Sequence, residues 1–250
     1  PDNFYPERTN SLEAGVTATL FKEALSVKFT LYQSNTKNQT FLRQITLGGA
    51  YNREYIQAGN VRNRGLELTV GYNKKWTDSR WSVNMSYSMN HNRIVRLLDN
   101  PNETLRQGGL NGCEVILTQG GTMGDLYTFT GFKRNQQGDI QVNADGQVMQ
   151  IELPTPRLVG SVLPKAHLGL NNTFSWKGLE CRLLITARLG GVCVSQTQAF
   201  MDSYGVSQKT AMQRDNGGVV VGSQYVPTER YYTVVGGETP IWDEYVYDAS

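Results

Sequence analysis

Ser11-Leu-Glu-Ala-Gly-Val-Thr-Ala-Thr-Leu20 alternates polar and apolar residues without a break. Leu12, Ala14, Val16, Ala18 and Leu20 fall on one side of an extended chain; Ser11, Glu13, Gly15, Thr17 and Thr19 fall on the other. A period of two is the signature of a strand with one greasy and one wet face. After Lys22-Glu-Ala24 the pattern resumes, with Leu25, Val27, Phe29 and Leu31 set against Ser26, Lys28, Thr30 and Tyr32. The stretch therefore predicts a hairpin with a tight polar turn.

Two further stretches repeat it. Leu66, Leu68, Val70 and Tyr72 alternate with Gly65, Glu67, Thr69 and Gly71, and beyond a turn over 73–80 come Trp81, Val83, Met85, Tyr87 and Met89 against Ser82, Asn84, Ser86, Ser88 and Asn90. The third pair sets Ala166, Leu168 and Leu170 against Lys165, His167, Gly169 and Asn171, turns at 175–178, and returns with Cys181, Leu183, Ile185, Ala187 and Leu189. Each strand reads as about 8–10 residues, near the length a tilted strand needs to cross a bilayer. Dozens of residues separate the hairpins. Tight turns at one end and long loops at the other are the layout of an outer-membrane β-barrel.

A soluble sandwich also alternates, but three details favour the membrane. The wet faces are small or hydrogen-bonding and carry charges well inside the strands. Aromatics gather near the short turns, at Phe21, Tyr72, Trp76, Trp81, Phe174 and Trp176, as an interfacial girdle would. Only one end is tight. The side chains expected to line an aqueous lumen are Glu13, Lys28, Glu67, Asn84, Arg182 and Arg188.

Composition narrows the rest. A net charge of +2 over 250 residues gives no reason to expect a nucleic-acid partner. No apolar run is long enough for a membrane helix, and alternating strands escape hydropathy averaging. The chain has no signal peptide at its start, and six strands would leave open edges in lipid, so the reading expects an interior piece of a longer protein. Cys113, Cys181 and Cys193 have no metal spacing, and an odd count sets no disulfide framework.

The motifs that suggest chemistry are weak. Gln141 to Glu152 nearly spells an EF-hand calcium loop, but its first ligand position holds Gln and neither flank reads as a helix. Two short strands around an Asp145-Gly146 turn fit better. His91 and His167 stand apart on polar strand positions, and the paired glycines lack the Lys-Ser/Thr of a phosphate loop. No catalytic residue, metal or cofactor is expected. Loop aromatics are frequent after Gly190. Tyr204, Tyr231, Trp242 and Tyr245 are candidate ligand contacts, with packing between loops as the alternative.

Several phrases resemble one family. Ala58-Gly-Asn-Val-Arg-Asn-Arg-Gly-Leu-Glu-Leu68 is similar to a segment of the SusC/RagA group of TonB-dependent outer-membrane receptors. Gly124-Asp-Leu-Tyr127, Phe132-Lys-Arg134 and Gly138 to Gly146 resemble a loop hairpin of that group. Leu189-Gly-Gly191, Thr197-Gln-Ala199, Tyr204-Gly-Val-Ser207 and Arg214 to Val219 resemble its late loops, and Tyr247-Asp-Ala-Ser250 the phrase before its final strands. Val192-Cys193 departs from the pattern, which commonly has an acidic residue followed by an aliphatic or aromatic one.

The resemblance implies an all-β, antiparallel up-and-down transmembrane barrel of ~22 strands with long extracellular loops. Residues 1–250 would form part of that barrel, with the plug, early strands and last strands outside it. It further implies import of oligosaccharides or peptides, a SusD-like surface lipoprotein as lid, and TonB acting through the plug. A passive porin and a secreted β-rich glycan-binding or adhesive module are the rival readings.

Overall fold

The computed structural model describes residues 4–44 and 53–250. In chain order the strands are β1 (Arg8–Leu20), β2 (Leu25–Gln44), β3 (Arg53–Lys75), β4 (Ser79–Arg96), β5 (Leu105–Leu110), β6 (Cys113–Leu117), β7 (Asp125–Phe132), β8 (Gln150–Ser161), β9 (Ala166–Trp176) and β10 (Leu179–Leu189). Then follow β11 (Val192–Val194), α1 (Gln196–Ser203), α2 (Gln208–Asp215), β12 (Val219–Val221), β13 (Gln224–Val226), α3 (Thr228–Val235), a 3₁₀ turn (Trp242–Tyr245) and β14 (Val246–Asp248).

The three expected hairpins form one wall. Its strand order is β1-β2-β3-β4-β9-β10, antiparallel throughout. Its three tight turns lie side by side, as the alternation requires. Asn73 N donates to Ala24 O (2.8 Å), and Lys177 N donates to Asp78 O (3.1 Å). At the last turn Lys177 and Gly178 both take positive φ, 44° and 86°. That is the twist-matched geometry of a two-residue hairpin loop.

The strands are longer than the expected 8–10 residues; β3 has 23 and β2 has 20. The ladder runs on beyond the apolar belt into segments such as Arg62-Asn63-Arg64, where both faces are polar and the apolar contrast vanishes.

The long connections are folded as well. β5 to β8 make a four-stranded sheet, while β11 pairs with β14 and β12 with β13. Cys113, Leu126 and Val148 from the first connection share a core with Ala199, Tyr232, Val235, Ile241, Trp242 and Tyr245 from the last. A second core holds this body to the wall: Phe41, Val61 and Ile94 from the wall strands pack with Leu97, Leu105 and Leu117. Backbone bonds reinforce the seam, Ile94 N donating to Gly121 O (2.9 Å) and Gly120 N to Ile94 O (2.8 Å).

Candidate functional site: the polar wall face and its loop body

The register places all six lumen candidates on one face. Gly15, Thr30, Glu67, Ser88, His167 and Arg188 form one row across the strands. Thr17, Lys28, Thr69, Ser86, Gly169 and Thr186 form the next. Asn84 lies in the row of Ser26 and Gly71, Arg182 in the row of Thr173 and Ser82, and Glu13 beside Tyr32 and Gly65. A one-residue slip anywhere would have moved a candidate to the opposite face.

The same periodicity gathers Leu20, Phe29, Leu68, Val83, Leu170 and Ile185 on the other face. There Val16, Phe29, Met85, Leu168 and Ile185 are exposed. So wide an apolar surface has no place in water. At the turn end it meets the aromatic girdle: Tyr72 and Trp81 sit edge to face at 5.6 Å. Trp81 Nε1 donates to Asn172 Oδ1 (2.7 Å), giving the indole the half-wet, half-apolar setting of a membrane boundary.

The polar face is ordered by its own contacts. Asn90 and Asn92 each donate from Nδ2 to Asn63 Oδ1 (2.9 Å). Tyr32 lies across Gly65 and its hydroxyl donates to Asn90 Oδ1 (3.3 Å). A Cβ on Gly65 would land on the Tyr32 side chain and the Met89 carbonyl. The glycine of the family-like phrase therefore makes room for a cross-strand tyrosine. Arg182 Nε donates to Glu180 Oε1 (2.7 Å) near the tight-turn end, and Arg188 donates to the Val162 carbonyl near the loops. Glu13, Lys28, Glu67 and Asn84 are exposed on this face.

Val61 and Ile94, which anchor the loop body, belong to this polar-face series by register. The loop body is thus seated over the wet side of the wall. Met123 N donates to Asn92 Oδ1 (2.8 Å), tying it to the asparagine cluster. Where β4 runs past its last partner on β9, a cavity of about 770 Å³ opens between wall and loops, lined among others by Asn90, Asn92, Thr122, Ser161, Lys165 and Tyr247. None of these six is among the site candidates expected from sequence, where Asn90 and Lys165 figure only as polar strand positions and Tyr247 only in a family-like phrase. They are ordinary polar residues, and only the departure of β4 from β9 brings them together.

The four loop aromatics divide. Tyr231, Trp242 and Tyr245 are 7%, 1% and 0% exposed and pack between loops, the alternative expected for them. Trp242 Nε1 donates to Asn111 O (2.8 Å), which satisfies the one polar group of a buried indole. Burial pushes the Tyr232 hydroxyl up to about 12 and raises Tyr231 and Tyr245 further. Burial likewise pushes the Cys113 thiol up to about 11. Tyr204 is 75% exposed and is the one of the four available to a ligand. It stacks beside Phe200, with ring planes 9° apart.

The near-calcium loop is a hairpin. Asn143 Oδ1 accepts from the amides of Asp145 (3.0 Å) and Gln147 (2.8 Å), and Val142 bridges Val148. That oxygen caps a turn instead of facing a cation. Among the described residues no three His, Cys, Asp or Glu side chains are grouped to hold a metal ion.

An antiparallel meander with an apolar outer face, an aromatic girdle, a polar inner face and folded loops at one end defines a piece of outer-membrane β-barrel. Residues 1–234 match the family model "TonB dependent receptor-like, beta-barrel", and the chain belongs to that family. Curated relatives include TonB-dependent receptor P3 of Formosa agariphila, 23% identical over 84% of this chain and 23% of its own length. TonB-dependent receptor P26 of the same organism is 23% identical over 70% of the chain and 19% of its own length. The chain thus spans about a quarter or less of these relatives.

Among solved structures, the RagAB peptide importer in its closed-closed state has TM-score 0.69 and 18% identity, over 97% of this chain and 27% of that one. Its open-open state has TM-score 0.66 and 16% identity, over 96% and 26%. The likeness establishes a shared fold.

Proposed function

We propose that this chain supplies part of the wall and mouth of a TonB-dependent importer that takes up oligosaccharides or peptides with a SusD-like surface lipoprotein. The observation that carries the reading is the placement of the loop body over the same wall face that bears Glu67, Asn84 and Arg188. A substrate held at the mouth would meet a hydrated, hydrogen-bonding path below it. The wall is scaffold and path; the driving force would come from TonB through a plug. Family membership favours this reading over a passive porin, and the exposed apolar wall disfavours a secreted module.

Uptake of labelled oligosaccharides and peptides by cells carrying the full-length protein tests the proposal. Uptake of one class should require both TonB and the partner lipoprotein. Uptake that survives deletion of TonB would support the porin instead.

A further inference from the structure

The outer wall face changes character abruptly at its loop end. Below the change lies the apolar row Ala14, Leu31, Leu66 and Met89. The next row on the same face is Leu12, Gln33, Arg64 and His91; the next is Asn10, Asn35, Arg62 and Arg93; after that Arg8 stands opposite Lys37. The last row continues through Asn60 to Arg96, which pairs with Asp99 (2.6 Å). Six permanent cations thus occupy three successive rows, and no carboxylate lies in those rows. Arg62 and Arg93 are direct cross-strand partners, a like-charge pairing that destabilises a sheet when nothing neutralises it.

The internal contacts leave that charge uncompensated. Arg62 Nε donates to Asn35 Oδ1 (2.9 Å) and Arg64 Nε to Gln33 Oε1 (2.5 Å), both neutral acceptors. Apart from Arg96, none of these cations has a salt-bridge partner among the described residues. The amide contacts fix the guanidinium stems and leave terminal N–H groups free.

Height identifies the surroundings. From Trp76 at the turn end to Leu66, a strand rising ~3.3 Å per residue at a tilt of ~40° climbs ~25 Å, the height of a barrel's apolar band. The Arg64 row therefore emerges at headgroup level on the loop side, with the other two rows just above. An occupant must lie against an apolar wall below and satisfy clustered guanidinium groups above. Acyl chains topped by phosphate meet both demands, since guanidinium binds phosphate through paired N–H bonds and basic clusters at membrane surfaces select anionic headgroups.

The geometry points to a lipid-binding site on the outer wall, in which Arg62, Arg64 and Arg93, flanked by Arg8 and Lys37, hold the phosphate of an outer-leaflet glycolipid. The site faces away from the path proposed for substrate and is independent of what is imported. It would fix the height of the wall in the membrane.

Native mass spectrometry of the full-length receptor in detergent tests this with three probes: lipid A, enzymatically dephosphorylated lipid A, and inorganic phosphate. Lipid A should bind, and removal of its phosphates or the triple substitution R62Q/R64Q/R93Q should weaken binding by roughly a hundredfold. The triple R62K/R64K/R93K keeps the charge and should retain the preference for phosphorylated lipid, which supplies a readout should the Gln variant fail to fold. Equal binding of the two lipids would overturn the assignment, as would undiminished binding by a folded Gln variant. Displacement of lipid A by millimolar inorganic phosphate would mark a free-anion site and would overturn the lipid claim too.

Discussion

The wall and the loop body draw on the same amino acids and bury them in opposite ways. In the wall, Val16, Met85, Leu168 and Ile185 are exposed, because the medium they are built for is lipid. In the loop body, Val235, Ile241 and Trp242 are buried against one another, because that region faces water. The wall has no interior of its own; it is one sheet between two solvents. The loop body is a small conventional core stapled to the wall at Ile94 and Val61.

The comparison is broken most forcefully from the loop side. Trp242→Ala removes a fully buried ring and the hydrogen bond to Asn111, and should destabilise the loop body by ~3–5 kcal/mol. The wall should keep its strand signal by circular dichroism while protease cuts within 196–245. Simultaneous loss of wall and loops would mean that the two are not separately built.

From the wall side, Ile185→Arg places a cation on the lipid face opposite Leu170, one row from Ala187 and Leu168. Near mid-membrane this should lower stability in lipid vesicles by ~2–4 kcal/mol. Thr186→Arg, one residue along and on the polar face, should change it much less. Equal effects would deny that the two faces differ.

Alkali should separate the regions more gently. Tyr232 has its hydroxyl raised from 10.0 to about 12 by burial, with Tyr231 and Tyr245 raised beyond it. An unfolded loop would lose these protons from about pH 10, whereas the folded loop must keep them. Stability from these groups is therefore complete below pH 10 and falls as the pH climbs toward 12. Tyrosine ionisation followed by absorbance should lag in the native protein and then rise as the loop body opens, with wall strands intact. Ionisation of all thirteen tyrosines in one step near pH 10, with no late fraction, would contradict the burial.

The wall was legible because lipid on one side and water on the other impose a strict period of two, visible in Leu12 to Leu20 or Trp81 to Met89. The ends of β2, β3 and β4 were not, since Asn35, Arg62, Asn63 and Asn92 offer no apolar contrast. The loop body was largely illegible. Its helices have only eight residues each, and β5 carries a register shift between Arg106 and Gly108 that hides its alternation. One signal stood in plain view: Ser195 three residues before Gln198 is a capping pattern, and Ser195 Oγ accepts from Gln198 N at 3.1 Å. Of the candidate residues, the six on the wall needed only parity to share a face. The aromatics depended on tertiary packing, which is why Tyr204 alone of the four is exposed.

The central claim is that one wall face meets lipid and the other water. Spin labels placed one at a time from Val83 to Asn90 on β4, in a cysteine-free full-length receptor reconstituted in bilayers, measure it directly. Labels at 83, 85, 87 and 89 should be relaxed by oxygen, which concentrates in lipid. Those at 84, 86, 88 and 90 should be relaxed by a water-soluble nickel chelate, in strict alternation. Accessibility without a period of two, or a chelate that reaches both sets equally, would contradict the account.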